Sequence, residues 1–487
     1  MRFIYTFFFL PFICTVFAQN HDFHWYLGYA NNNPSPTVGG MTISFVNNPP
    51  KIFPEKKEVD FDSYNAVCSD SSGSQVLFST NGISIRNGLQ QLMQNGDTIN
   101  PGSIWNSYQH QSYPLDPRLC FFPAPGLHNH YYLIHLAIQY PNFEFSLRPL
   151  YYTLIDMNAN NGLGQVVKKN QILVDSTSSN LDIIGPAAVK HGNGRDWWIV
   201  TGRYNTNEFL VFLFSPSGIS GPFIQHIGPP YPQTEGRGTP LFTPDGNTYI
   251  RGDATNGPRI YDFDRCTGKL SNLRIVPYTY PLGFEYVISP NSRFLYSNIF
   301  EFVVQFDLLD EDIGASMDTV AVYDGFASPG PPWSTGINLA GLQPDGKIYY
   351  STTTSTTALH VINRPDLPGL ACDVQQHGII LPKFNHWTIT HNPNYRLGEW
   401  ETSPCDTLNA QQPGDGFVHH SYHPPTFPTD TTYRLCTPVP DKTQSPDIYF
   451  RRAWLPGPAA VPTFRYMPGE LIREDQQDWL QLYRKKH

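Results

Sequence analysis

Short apolar runs alternate with polar turns along most of this chain, and one pattern recurs. An apolar run, a tight turn of the Pro-Asp-Gly type and an aromatic run follow one another in Leu241–Ile250, Val287–Tyr296 and Leu342–Tyr350. Two extended runs joined by such a turn are typical of a β-hairpin. Looser copies of the pattern lie upstream, at 67–78, 121–134 and 187–200.

The spacing of these hairpins predicts the fold. Their turns lie at positions 73, 126, 194, 246, 292 and 346, so the steps range from 46 to 68 residues. Repeats of this size, with several strands in each unit, indicate a β-propeller. At roughly 40–50 residues per blade, the 487 residues accommodate seven blades. We predict an all-β propeller of seven four-stranded blades, with six or eight blades as the alternatives.

Six blade-like units and two chain ends make up this prediction. The units are expected at 62–110, 115–175, 181–229, 235–280, 283–326 and 334–382. Strands at 24–28 and 41–46 are predicted to join a late strand at 386–390, so that both chain ends close the ring and no sheet edge is left open. From residue 401 the strand pattern stops and Pro, Thr and Asp are frequent. The predicted domains are therefore a propeller at 19–400 and an irregular Pro-rich extension at 401–487.

The amino terminus and the cysteines favour export. Met1–Ala18 is one arginine followed by an apolar run that ends in small residues, which predicts a secretory signal peptide. A lipoprotein signal acylated at Cys14 is the alternative. No later apolar run is long enough to span a membrane. Six further cysteines could form disulfides or remain buried thiols; they are Cys68, Cys120, Cys266, Cys372, Cys405 and Cys436.

The charge pattern disfavours a nucleic-acid partner. The formal net charge is −9, and it becomes −10 when Arg2 leaves with the signal peptide. Nucleic-acid binding needs a basic stripe, and the chain has none before Arg484–Lys486. The aromatic residues, 14% of the chain, alternate inside the hairpins and fit a strand core better than a base-stacking surface.

Several of these segments resemble a known family. Trp25–Gly28, Leu77–Gly82, Phe263–Gly268, Ser289–Tyr296 and Pro365–Cys372 are similar, in this order, to motifs of secreted WD40-like propeller proteins from Bacteroidetes. The resemblance covers roughly 24–400. It implies a propeller displayed at the outer cell surface, because many members carry a C-terminal sorting or gliding-motility-associated module for type IX secretion. No such module is recognisable in 401–487. The shared motifs are turns and strands, so the resemblance implies no catalytic residues.

One loop offers candidate binding residues. Thr234–Thr239 contains two glycines that would expose Glu235 and Arg237 just before an innermost strand, and propellers bind ligands at one end of the channel. These two side chains are predicted to contact a polar ligand at the channel mouth, or else to form an ion pair that links two blades. The sequence predicts no metal site and no cofactor, although a divalent metal at the mouth is the alternative.

Three functions fit this sequence. The first is a secreted, noncatalytic propeller that binds a protein or a glycan through one face. The second is a propeller hydrolase or lactonase with a site at the channel mouth, where several ionisable groups would converge. The third is a structural surface component, which would expose a large apolar patch on its rim. The sequence contains no GxSxG, HExxH, Walker-type or dinucleotide-binding motif, but propeller enzymes assemble their sites from scattered loops.

Overall fold

The computed structural model describes most of the chain. The described residues are 19–30, 35–114, 119–139, 146–175, 181–182, 185–231, 238–253, 256–277, 285–299, 301–328, 333–400, 405, 417–422, 433–438, 464–467 and 470–473.

The chain folds into seven antiparallel sheets that form the blades of a propeller. Blades 1 and 2 have three strands each: β1 (His24–Gly28), β2 (Gly40–Ser44), β3 (Lys51–Pro54), and β4 (Ala66–Ser69), β5 (Val76–Thr80), β6 (Ile85–Asn87). Blades 3 to 5 have four each: β7 (Cys120–Pro123), β8 (His130–Gln139), β9 (Ser146–Asp156), β10 (Gln165–Val174); β11 (Ala187–Lys190), β12 (Trp197–Gly202), β13 (Glu208–Ser215), β14 (Gly218–His226); and β15 (Pro240–Phe242), β16 (Thr248–Arg251), β17 (Arg259–Asp264), β18 (Lys269–Ile275). Blades 6 and 7 contain β19 (Tyr286–Ile288), β20 (Phe294–Ile299), β21 (Phe302–Asp307), β22 (Asp318–Val322), and β25 (Ile337–Leu342), β26 (Ile348–Thr352), β27 (Thr356–Ile362), β28 (Val374–Asn385). The predicted seven-bladed all-β fold is confirmed, although two blades lack a fourth strand.

The first strands of blades 2 to 7 are the innermost ones. They lie beside one another in the pairs β4 and β7, β11 and β15, β15 and β19, and β19 and β25. We call the side that carries the hairpin turns after these strands the lower face. The opposite side, where one blade connects to the next, is the upper face.

Glycines at the repeated turns explain why the hairpins form where the sequence predicts them. Gly246 and Gly346 have φ of 74° and 75°, a left-handed conformation that costs an ordinary L-residue about 1–2 kcal/mol. The amide of Gly246 donates to the carbonyl of Thr243 at 2.7 Å, which closes the turn. The copy at Val287–Tyr296 uses Ser292, with φ of 62°, at the equivalent position.

Substitution of the two glycines is expected to have different effects. A Cβ at residue 346 would have only Pro290 nearby, at 3.9 Å, whereas a Cβ at residue 246 would lie 2.7 Å from Leu397 and 2.9 Å from Arg265. Gly346→Ala should therefore lower the free energy of unfolding by about 1–2 kcal/mol. Gly246→Ala should lower it by about 1–3 kcal/mol more. Equal losses in urea unfolding would contradict the tight packing of Leu397 against this turn.

Aromatic side chains fill the space between blades. Phe122 of blade 3 stacks on Trp197 of blade 4, with ring centroids 5.2 Å apart. Phe209 of blade 4 meets Tyr249 of blade 5 edge to face at 5.9 Å. Such pairs add about 0.5–1.5 kcal/mol each beyond their buried area. The blades are thus held together mainly by apolar contacts between successive sheets.

Both chain ends take part in closing the ring, but the predicted strand at 386–390 is wrong. These residues, all of them described, form no strand. The segment nevertheless takes the innermost position of blade 1, because Ile389 packs in one apolar cluster with Trp25 of β1 and Leu339 of β25. Thr388 Oγ1 donates to the carbonyl of Phe61 at 2.7 Å. Individual side-chain contacts thus take the place of the backbone hydrogen bonds that the predicted strand would have made.

The remaining elements are short. Helix α1 (Ser103–Tyr108) follows β6, two 3₁₀ turns lie at Asn160–Gly162 and Gly369–Cys372, and β23 (Ala327–Ser328) pairs with β24 (Trp333–Ser334) between blades 6 and 7. No helix among the described residues is long and apolar enough to cross a membrane.

The chain divides into two compact units. The propeller belongs to the unit of Phe17–Asp406 and Pro425–Asp430, and the other unit is Met1–Val16, Thr407–Pro424 and Thr431–His487. In the second unit, β29 (Phe417–Tyr422) pairs with β30 (Tyr433–Pro438), and β31 (Phe464–Met467) pairs with β32 (Glu470–Arg473). The sequence predicted an irregular Pro-rich extension here, and these two hairpins are regular elements within it.

The cysteines behave in two ways. Cys266 and Cys405 form a disulfide across 139 residues of sequence. Cys68, Cys120 and Cys372 are buried free thiols, so for them the disulfide alternative is wrong and the buried-thiol alternative is confirmed. Burial raises the pKa of the Cys120 thiol to about 12, which makes this side chain an unreactive part of the core. Cys436 lies on β30, and its side chain is outside the described residues.

Candidate functional site

The lower end of the central channel is closed by the chain itself. After Thr390, residues 391–394 cross the channel and, with the first strands of blades 3, 4 and 5, line a cavity of about 90 Å³. Tyr395 then donates its hydroxyl to the carbonyl of Phe121 at 2.7 Å, and Asn394 donates to the carbonyl of Pro244 at 2.8 Å. We call residues 388–400 the closing segment.

Charged contacts and a covalent bond fix the closing segment to the lower face. Arg396 makes a bidentate pair with Asp22, with nitrogen–oxygen distances of 2.7 and 2.9 Å. Arg265 donates to the carbonyl of Gly398 at 2.6 Å, and the Trp400 amide donates to the carbonyl of Gly192 at 2.7 Å. Five residues after Trp400, Cys405 forms the disulfide with Cys266. The closing segment therefore occupies the lower end of the channel.

The upper face carries a group of partly exposed aromatic and polar side chains. They come from five places: the loop after β1, the segment between β3 and β4, strand β24, the loop between β26 and β27, and the end of β28 with the two residues that follow it. We call this group the upper-mouth site; it comprises Tyr29, Asp62, Trp333, Ser355, Phe384, His386 and Trp387.

Trp387 is held in an unusual backbone conformation. Its φ is 53°, which is a strained value for a bulky residue and marks a position worth testing for function. The indole Nε1 donates to the carbonyl of Thr353 at 2.8 Å, and the ring stacks on His386 with centroids 4.9 Å apart. The residue is still 36% exposed. The surface that it presents to solvent is therefore the apolar ring, since its one donor is already used.

Trp333 lies on the same loop from the other side. Thr354 Oγ1 donates to the carbonyl of Ser334, the residue after Trp333, at 2.7 Å. Trp387 binds the preceding residue, Thr353. The ring of Trp333 also packs on that of Phe384, with centroids 5.9 Å apart, and Trp333 is 40% exposed. Two exposed indoles thus flank one short loop of blade 7.

Polar groups border these rings. The hydroxyl of Tyr29 is hydrogen-bonded to Ser355 Oγ at 2.5 Å. Burial raises the pKa of Tyr29, and the carboxylates of Asp62 and Asp60 raise it further, so the hydroxyl is protonated at neutral pH. Asp62 Oδ2 lies 3.6 Å from His386 Nδ1. The site can therefore offer hydroxyl, carboxylate and imidazole partners beside two apolar ring faces.

A buried ion pair stands apart from this site. Arg251, at the end of β16, makes bonds of 2.7 and 2.6 Å to the two carboxylate oxygens of Asp182. Arg251 also donates to the carbonyls of Arg203 and Thr206. Its guanidinium lies over the ring of Tyr231, at 4.4 Å from the centroid. These contacts occupy the guanidinium and the carboxylate, and the pair links blades 4 and 5.

The residues singled out from the sequence are not part of the upper-mouth site as described. Glu235 and Arg237 lie outside the described residues, so their role remains a prediction. Among the described residues, no group of three or more His, Cys, Asp or Glu side chains is placed to hold a metal ion. His135 is buried and bonded to Asn100 and Thr153. Burial lowers its pKa to about 3, as expected for a core histidine.

Sequence reasoning missed the upper-mouth site for a physical reason. Trp387 and Trp333 are single exposed aromatics with no motif around them, and the positive φ of Trp387 cannot be inferred from residue type. The one available signal was the position of His386–Trp387 at the point where the last blade ends. That segment was interpreted as a strand, which would have placed alternate side chains in the core.

Comparisons with known proteins add only general likenesses. No family model and no curated protein matches the chain. Among solved structures, it is similar to a functionally unknown protein from Desulfotomaculum acetoxidans, with 16% identity, TM-score 0.39, and 71% of this chain and 95% of that one covered. A protein from Lactobacillus plantarum gives 11% identity, TM-score 0.42, and 75% and 98% coverage. A periplasmic gluconolactonase from Pseudomonas aeruginosa gives 11% identity, TM-score 0.41, and 74% and 96% coverage. Likenesses at this level carry no argument about activity.

Proposed function

We propose that this protein is an exported, noncatalytic propeller that recognises a protein or a glycan through its upper mouth. The observation that carries the proposal is the asymmetry of the channel. The closing segment occupies the lower end, whereas the upper face carries two exposed indoles beside the loop at 353–355. Binding surfaces enriched in Trp and Tyr, fixed before the ligand arrives, are favourable for recognition. The Cys266–Cys405 disulfide agrees with an oxidising location outside the cytosol, and the signal peptide predicted at 1–18 supports the same location.

Directed attachment tests which face binds. In a Cys436→Ser background, Ser72→Cys adds an exposed thiol to a lower-face turn, and Ser334→Cys adds one to the upper face. The native free thiols at 68, 120 and 372 are buried, so a maleimide–biotin reagent should label the new cysteines. Each protein is immobilised on streptavidin and exposed to panels of extracellular proteins and polysaccharides. We expect binding with attachment through residue 72 and its loss with attachment through residue 334; equal binding from both would contradict the upper-mouth assignment.

A turnover assay tests the noncatalytic part. The His386–Asp62 pair is the imidazole and carboxylate at this mouth that could act as acid and base. We expect no hydrolysis of simple sugar lactones or aryl esters above the uncatalysed rate. Turnover that Asp62→Asn lowers by about 10²-fold or more would replace the proposal with the hydrolase alternative. The variant keeps the size of the side chain, so a folding defect is a poor explanation for such a loss.

A further inference from the structure

The two exposed tryptophans of the upper mouth suggest which ligand class the site takes, and this inference depends on the function proposed above. Both indoles are fixed from below: Trp387 through Thr353 and by stacking on His386, Trp333 by Phe384. Both exposed rings are flat, and the exposed surface of Trp387 is apolar because its N–H is already bonded. A sugar ring has a flat face of C–H groups that matches such a surface, with hydroxyls around its edge.

The polar border fits the edge of that ligand. Sugar hydroxyls both donate and accept hydrogen bonds. Asp62, with a side chain 37% exposed, and His386, 34% exposed, can meet them beside Trp387. A hydrogen-bonded Tyr29–Ser355 pair lies on the same side. A purely apolar peptide segment would leave these groups without partners as it excluded water, which costs free energy.

The size and charge of the site narrow the class further. A stable protein partner needs about 800 Å² on each side, whereas this site is a few side chains around one loop. The carboxylates of Asp62 and Asp60 act on Tyr29, and the chain as a whole carries −9. An anionic ligand would be repelled here. The strained φ of Trp387 also fits a site that is formed before a weakly interacting neutral ligand binds.

We propose that the upper-mouth site binds a neutral oligosaccharide, with one sugar stacked on Trp387 and a second sugar on Trp333. The loop at 353–355 lies between the two sugars. Asp62 and His386 accept or donate hydrogen bonds to the hydroxyls of the first sugar. The Tyr29–Ser355 pair supports the loop from the blade 1 side.

Affinity electrophoresis of the full chain tests this. The probes are four neutral polysaccharides (laminarin, amylopectin, xyloglucan and galactomannan), with alginate as the anionic comparison. We expect at least one neutral polysaccharide to retard the protein, and alginate not to. Trp387→Ala and Trp333→Ala should each weaken that binding about tenfold or more, the usual loss at a central aromatic contact. Trp387→Phe should retain more of the binding than Trp387→Ala, since it keeps a ring.

A matched control separates binding from stability. Phe223→Ala removes an exposed aromatic side chain from β14, on the outer strand of blade 4, and should leave retardation unchanged. Thermal unfolding of each variant checks that the propeller is intact. Absence of retardation by every neutral probe, or equal weakening by Phe223→Ala, would overturn the inference. Protein binding at the upper mouth without any glycan binding would overturn it too, but would leave the proposed function standing. If neither a protein nor a glycan bound in the attachment experiment, this inference and the proposed function would both be wrong.

Discussion

Asp182→Ala is expected to lower the free energy of unfolding by about 3–5 kcal/mol, the cost of leaving one member of a buried ion pair alone. The Arg251 guanidinium would keep its bonds to the carbonyls of Arg203 and Thr206. It would nevertheless lose the carboxylate that neutralises it in a setting where both side chains are less than one-tenth exposed. Urea unfolding followed by tryptophan fluorescence measures this loss.

The control for this prediction is an ion pair of the same type at the surface. Asp262 lies 3.0 Å from Arg274, and both side chains are about one-third to one-half exposed. Asp262→Ala should therefore cost less than about 1 kcal/mol. If both variants lost the same small amount, water would have to reach the Asp182–Arg251 pair, and its role in joining blades 4 and 5 would be wrong.

The second large effect is expected at the disulfide. Cys405→Ser should lower the free energy of unfolding by about 2–4 kcal/mol, because the bond joins residues 139 apart in sequence and restricts the unfolded chain. Loss of the bond also leaves the closing segment held only by contacts such as Arg396–Asp22. The measurement is the unfolding midpoint with and without a reducing agent.

The double variant Cys266→Ser/Cys405→Ser provides the control. It should be as unstable as the single variant and insensitive to reductant, because both remove the same bond. Wild-type protein in reductant should approach the same midpoint. A midpoint that reductant leaves unchanged in the wild type would contradict a stabilising role for the bond.

The sequence predicted the blades well because the hairpin turns depend on residue type. Left-handed turns favour glycine, so Gly246 and Gly346 mark their hairpins directly, and the apolar runs on either side supply the inner strands. The way in which residues 388–390 close the ring was harder to predict. Thr388 and Ile389 reach the inner position of blade 1 through a side-chain bond and apolar packing, and neither requires the alternating pattern by which strands are identified.

The site depended even less on local sequence. Asp62 and Trp387 are 325 positions apart in the sequence, and only the ring brings them and Trp333 to one face. The loop with Glu235 and Arg237 was selected because glycines suggest exposure, which is a local signal. The exposed face of Trp387 results from its positive φ and from Thr353, and both are products of tertiary structure.

The contact between Asp22 and Arg396 spans 374 positions, and this has a consequence for biogenesis. Blades can begin to form as their residues leave the ribosome, since each is mostly built from consecutive strands. The inner position of blade 1 stays empty until residues 388–390 have been made, so this first blade cannot complete its packing until late in synthesis. Contacts this distant slow folding. Completion of the ring is therefore a late event in folding, which comes only after residues 388–396 have been made.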